Sequence, residues 1–128
     1  ARDRGERAMS VWGDGSPTRE FLYVEDAAEA ICLAAERYDG AEPVNIGSGM
    51  EISIKDLVGK IARLTGFEGG IVWDAAQPNG QLRRSLDTSR AKRLFGFEAN
   101  VSFDEGLQRT VAWYRNQAAD ALAVAKRA

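Results

Sequence analysis

Val11-Trp12-Gly13-Asp14-Gly15-Ser16-Pro17-Thr18-Arg19-Glu20-Phe21-Leu22-Tyr23-Val24-Glu25-Asp26 is the stretch on which the fold turns. Two β-rich runs, Met9–Trp12 and Glu20–Val24, flank a Gly-Asp-Gly-Ser-Pro segment suited to tight backbone reversal. The second run leads into a helical pattern from Glu25 to Arg37. There Ala28, Ile31, Cys32 and Ala35 recur at i, i+3, i+4 and i+7 and predict a buried stripe. Glu25 and Asp26 put negative charge on the first turn, where the helix dipole favours it. Strand, turn, strand and helix at this spacing open a mixed α/β domain.

Further along, the alternation continues. Pro43–Gly47 predicts a compact strand ending in Gly47-Ser48-Gly49. Ser53 with Asp56 resembles a capping box for a helix whose inner face is Leu57, Ile61 and Leu64, and Gly66 stops it. Gly70–Asp74 reads as a strand and Gln77-Pro78-Asn79-Gly80-Gln81 as a turn, with Arg83–Leu86 a short strand after it. Asp87 or Thr88 can cap a brief helix ending at Gly96. Ser102-x-x-Glu105 opens the last helix, with Leu107, Thr110, Val111 and Tyr114 inward. The expected fold class is α/β, a small mixed domain of short strands and about four helices, as one unit over residues 1–128. The charged residues 1–7 look like the end of a helix, and the alanine-rich tail, 117–128, either extends the last helix or frays.

Composition narrows the chemistry. A chain of 128 residues, 45% hydrophobic, closes one core, and a formal net charge of -2 supplies no general field for nucleic acid or an acidic membrane surface. Any anion site must be local. No run approaches the roughly 18 apolar residues of a membrane span, and the first residues are charged where a signal peptide turns apolar, so the chain reads as cytoplasmic. Cys32 is the one cysteine and, within an apolar helical pattern, is expected to be a buried, inert thiol. The absence of histidine removes the commonest general base, the Ser-His and Cys-His pairs and most imidazole zinc sites.

Two loop-centred clusters remain. Residues 11–21 and Gln77–Arg84 each join a glycine turn, where backbone can approach a ligand, to an arginine whose planar fork suits phosphate oxygens. Trp12 either packs at a strand end or offers a flat face to a ligand. Arg19 either projects from the end of a strand or pairs with Glu20, Glu25 or Asp26. Strand alternation sends Arg83 and Arg84 to opposite faces, so one of them is solvated. Gly47-Ser48-Gly49 lacks the third glycine of a dinucleotide fingerprint and reads as a turn. Glu25 and Asp26 suit a helix start better than acid-base work.

Arg19-Glu20-Phe21-Leu22-Tyr23-Val24-Glu25-Asp26 is similar to a signature of extended short-chain dehydrogenase/reductases acting on nucleotide sugars. Val11-Trp12-Gly13-x-Gly15-x-Pro17-x-Arg19, Val44–Gly49, Ile54–Leu57 and the run from Trp73-Asp74 to Leu86-Asp87 narrow the match. Together they resemble the GDP-L-fucose synthase family of NAD-dependent epimerase/dehydratases, from about Ser10 to Tyr114. The resemblance implies a C-terminal substrate-binding portion. Trp12 and Arg19 then match substrate-binding positions, with Arg19 near the diphosphate. Asn79 stands where many members carry aspartate in a nucleotide-contacting turn, Arg84 where a basic residue is common, and Leu82 in place of a frequent proline, which would loosen the loop.

The same resemblance implies a full-length enzyme that uses NADP(H) through an N-terminal Rossmann half with the glycine-rich loop and catalytic residues, none of which has a counterpart here. This chain then carries no cofactor site and no catalytic residue, and Cys32 lies in the wrong segment to be the family's acid/base cysteine. The expected partner is a nucleotide-diphosphate sugar, a GDP-sugar foremost. Residues 21–47 would pack on the absent half, leaving apolar surface free for a homodimer. The alternatives are a fragment of a UDP- or dTDP-sugar epimerase or dehydratase, and a stand-alone module binding a nucleotide sugar or a protein.

Overall fold

The computed structural model describes residues 1–125, with side chains described through Gln117. Its elements are β1 (Ala8–Trp12), β2 (Thr18–Glu20), α1 (Val24–Arg37), β3 (Glu51–Ser53), α2 (Ile54–Thr65), β4 (Gly70–Asp74), β5 (Arg83–Arg84), α3 (Ser89–Phe95) and α4 (Phe103–Ala125). Strands and helices alternate as an α/β chain should. Two small sheets form: β1 pairs in parallel with β4, and β2 lies between antiparallel β3 and parallel β5. Among the described residues no helix is long and apolar enough to cross a membrane.

The helix ends follow their local chemistry. Ser53 Oγ accepts the Asp56 N–H at 3.0 Å and donates to its carboxylate at 2.7 Å, and Gly66 closes α2 in the left-handed conformation. Thr88 is the N-cap residue of α3 but makes no side-chain cap bond, and the Asp87 carboxylate just before it accepts the Ser89 N–H at 2.9 Å. At α4 the box is half made. Ser102 Oγ accepts the Glu105 N–H at 3.3 Å, but the Glu105 carboxylate turns to Arg109. The helix runs to Ala125, and the part of the expected tail at 126–128 lies outside the described residues. Arg2–Arg4 form only a 3-10 turn closed by Gly5.

Several expectations need correction. The strand expected over Glu20–Val24 is β2, two residues earlier, because Val24 already starts α1. Pro43–Gly47 pairs with no strand among the described residues, and β5 stops at Arg84. The stripe Ala28, Ile31, Cys32 and Ala35 faces outward, with Ile31 63% exposed and the Cys32 thiol exposed rather than buried. The core instead takes Ala30 from α1, with Leu33 and Ala34, against Ala91, Phe95 and Phe97. Helix α1 is apolar on both sides, and the chain covers one of them. Ile61, Thr110 and Tyr114, expected inward, are exposed as well.

Asp26 is buried and accepts the backbone N–H groups of Asn100 and Val101 at 3.2 and 3.0 Å. It joins α1 to the loop before α4, which is a structural role. Between α1, α2 and α4 lies an open, largely apolar cavity of about 1090 Å³ lined by Phe21, Leu57, Ile61, Phe103, Leu107 and Trp113 among others.

Candidate functional site

The two glycine-rich loops meet. Gly13 (φ +78) follows β1, and its N–H donates to the Asp74 carbonyl at 2.8 Å, one link beyond the β1–β4 ladder. A side chain there would overlap the Asn79 amide, and only a residue without Cβ fits this approach at this φ. The Asn79 Oδ1 accepts the Asp14 N–H at 2.9 Å, locking the 13–17 turn to the 77–82 loop. The Asp14 carboxylate accepts the Ser16 N–H at 2.8 Å. Ser16, through backbone and side chain, and then the Asn79 amide hold the Asp14 carboxyl below the usual aspartate range. An aspartate at 79 would set a second carboxylate beside Asp14, which the amide avoids.

The 15–17 turn is pinned on its other side. Lys55 and Ile54 N–H groups donate to the Gly15 and Pro17 carbonyls, each at 2.9 Å, so the start of α2 buttresses it. Thr18 N–H donates to the Leu82 carbonyl at 2.9 Å, so the 77–82 loop is anchored to β2 at Leu82.

Register decides which arginines share a face. Thr18 pairs with Arg83 and Arg19 with Arg84 in parallel, while Arg19 pairs with Ile52 across the antiparallel ladder. Paired residues point to one side of a sheet, so Arg19 and Arg84 stand together with Ile52, and Thr18, Glu20, Glu51 and Arg83 occupy the opposite side. On that opposite side Glu51 forms an ion pair with Arg83 and accepts from Thr18 Oγ1 at 2.9 Å. The Arg83 guanidinium, then the Thr18 hydroxyl, hold the Glu51 carboxyl below its ordinary range. Of the two arginines, one of which is expected to be solvated, Arg83 is 72% exposed and also paired with Glu51, a partner that nothing local in the sequence announces. Among the described residues no carboxylate lies within ion-pair distance of Arg19 or Arg84.

The Arg19 Nη1 donates to the Thr18 carbonyl at 2.6 Å, and a side chain on Gly80 (φ +70) would meet its Nη2 at 3.9 Å. Its guanidinium thus lies against the 77–82 loop and not in a pair with Glu20, Glu25 or Asp26. Trp12 is 70% exposed at the end of β1, so it is not a core residue. The structure brings Arg19 and Arg84 to one face of the three-stranded sheet, sets Gly80 beside the Arg19 guanidinium and ties the turn after Trp12 to the same loop through Asn79. None of these residues lines the 1090 Å³ cavity. Gly47-Ser48-Gly49 is a turn whose Gly49 N–H is held by the Glu20 carboxylate at 2.9 Å. That N–H is occupied by an anion of the chain itself, so the turn does not fit a dinucleotide pyrophosphate.

A profile of the NAD dependent epimerase/dehydratase family matches residues 2–47. The chain is 43% identical over 114 residues to GDP-L-fucose synthase 1 of Arabidopsis thaliana, covering 89% of this chain and 35% of that protein. An epimerase from Methanothermobacter thermautotrophicus superposes with a TM-score of 0.79 at 32% identity, over 86% of this chain and 33% of that one. A UDP-glucose 4-epimerase from Thermotoga maritima, solved with UDP-glucose, superposes with a TM-score of 0.77 at 34% identity, over 89% and 36%. The chain spans about one third of the length of these relatives. On these likenesses the chain belongs to the NAD-dependent epimerase/dehydratase family, as a GDP-L-fucose synthase-like portion of an extended short-chain dehydrogenase/reductase.

Proposed function

We propose that this chain supplies nucleotide-sugar recognition to a GDP-L-fucose synthase-like enzyme, an NADPH-dependent 3,5-epimerase/4-reductase of GDP-4-keto-6-deoxy-D-mannose. The redox residues then belong to the rest of the enzyme, and this chain alone binds without catalysing. One observation carries the reading: Arg19 and Arg84 stand side by side on one sheet face, with no carboxylate among the described residues within ion-pair distance, next to a loop held close by glycines. Adjacent strands lie about 4.8 Å apart, a separation that lets two planar guanidinium forks engage the two phosphates of one diphosphate. Trp12 adds an exposed aromatic face for the sugar or base, and Asn79 shapes the loop.

The outward stripe of α1, the unpaired run 43–47 and the apolar cavity are the surfaces that a cofactor-binding half would cover, or that a second copy would cover in a homodimer. A reducing, cytoplasmic setting fits a single thiol without an internal partner.

Calorimetry of this chain with GDP, UDP and dTDP side by side tests the proposal, with GDP expected to bind tightest. Replacing Arg19 by alanine should weaken GDP binding by about 1.5–3 kcal/mol if it makes a charge-assisted contact. Unchanged affinity rejects its role. The likeness to a UDP-glucose 4-epimerase favours a second reading, a fragment of a UDP-sugar enzyme, for which UDP binds tightest. Binding of none of the three leaves the stand-alone protein-binding module.

A further inference from the structure

Arg19 and Arg84 raise a problem that the ladder alone does not solve. Like charges directly opposite on neighbouring strands repel, and β5 is only two residues long, with Arg84 its last. The pair needs something to hold it closed before any anion arrives.

The group in position to do so is Glu20, on the reverse side of the same sheet. One of its carboxylate oxygens accepts the Leu86 N–H at 2.8 Å, two residues beyond Arg84, so a side chain continues the β2–β5 pairing where the backbone ladder stops. The other accepts the Gly49 N–H at 2.9 Å in the turn that leads into β3. Gly47 makes room for this, since a Cβ there would overlap the same carboxylate. One anion therefore joins the segments flanking both outer strands to the central one. Both bonds are charge-assisted, stronger than a neutral side chain would make.

We propose that Glu20 is the positioning residue of the Arg19–Arg84 pair, fixing Arg84 beside Arg19 so that the two present one preformed site for a diphosphate. The inference rests on the nucleotide-sugar reading above and adds to it a residue that touches no ligand.

A double-mutant cycle in the 128-residue chain tests it, with Glu20→Gln, Arg84→Ala and both together, read as the dissociation constants of GDP, pyrophosphate and guanosine. Glutamine keeps the shape but offers one acceptor oxygen in place of two and no charge. E20Q is expected to weaken GDP and pyrophosphate about tenfold, the scale of one charge-assisted hydrogen bond, and to leave guanosine unchanged. With Arg84 already removed, E20Q should cost less than about twofold more, because its effect runs through Arg84. Amide hydrogen exchange should speed up at Leu86 and Gly49 in E20Q and stay slow at Phe97.

Glu20→Asp, which keeps the charge but is one methylene too short to reach both N–H groups, should show the same loss and stands in if E20Q does not fold. Wild-type affinity in E20Q or E20D, equal loss for guanosine, or a double variant whose losses simply multiply overturns the positioning role and leaves the site reading intact. A wild-type chain that binds neither GDP nor pyrophosphate overturns both.

Discussion

The two ends of this small molecule are built to different standards. Around α3, the residues Ala30, Ala91, Phe95 and Phe97 are sealed, with Tyr38 packed on Phe95 at a ring separation of 6.3 Å. Around α4, residues of the same kind line an open trough in which Phe21 and Phe103 touch at 5.9 Å while Trp113 stays 62% exposed. Composition does not separate the two ends, since both are rich in aromatic and aliphatic side chains. What differs is the opposing layer: α3 and the segment after it close over α1, whereas among the described residues α2 and α4 flank the trough without covering it. Stability should therefore reside at the α3 end.

Truncation tests that contrast most severely. Phe97→Ala is expected to cost about 3–5 kcal/mol in denaturant unfolding, the range for a buried aromatic, whereas Trp113→Ala in the trough should stay within about 1 kcal/mol. Comparable losses would mean that the trough is closed in solution. Next in size is Asp26→Ala, which strands the N–H groups of Asn100 and Val101 beside a buried site and should cost about 1–3 kcal/mol by the same measurement.

A smaller effect is set by acid. Glu51 is held below its ordinary range by Arg83, so its contribution is complete at neutral pH and is lost as the pH falls through that lowered value, below the usual glutamate range. A carboxyl titration followed by NMR should place the loss of the β2–β3 contacts there, and Glu51→Gln should remove that pH dependence. Smallest of all, Ile31→Ser on the outward side of α1 is expected within about 0.5 kcal/mol of the parent, while the same change at Leu33 should be clearly destabilising.

The sequence made much of this legible, and its misses share a cause. The helix-start bonds of Ser53, Asp87 and Ser102, the glycine stops at Gly66 and Gly96, and strands β1 and β4 are local matters decided within a few residues. The side that α1 buries is not. Ala30, Leu33 and Ala34 recur at helical spacing just as Ala28, Ile31, Cys32 and Ala35 do, and only α3 chooses between them. Pro43–Gly47 has the residues of a strand and pairs with none among the described residues. At the candidate site, residue type and turn chemistry single out Trp12 and Arg19 without deciding their roles, and only the family resemblance favours Arg84 over Arg83. The register that puts Arg19 beside Arg84 is not legible there, nor are the partners of Glu20, which lie 29 and 66 residues away.

Helix α1 carries its own reporter for the side it leaves uncovered. Cys32 is the chain's one cysteine and its thiol stands on the outward stripe. A maleimide therefore modifies a single known position without any engineered substitution. Its rate of alkylation, compared between this chain alone and this chain joined to whatever packs upon it, becomes a direct measure of how far that side has been closed over.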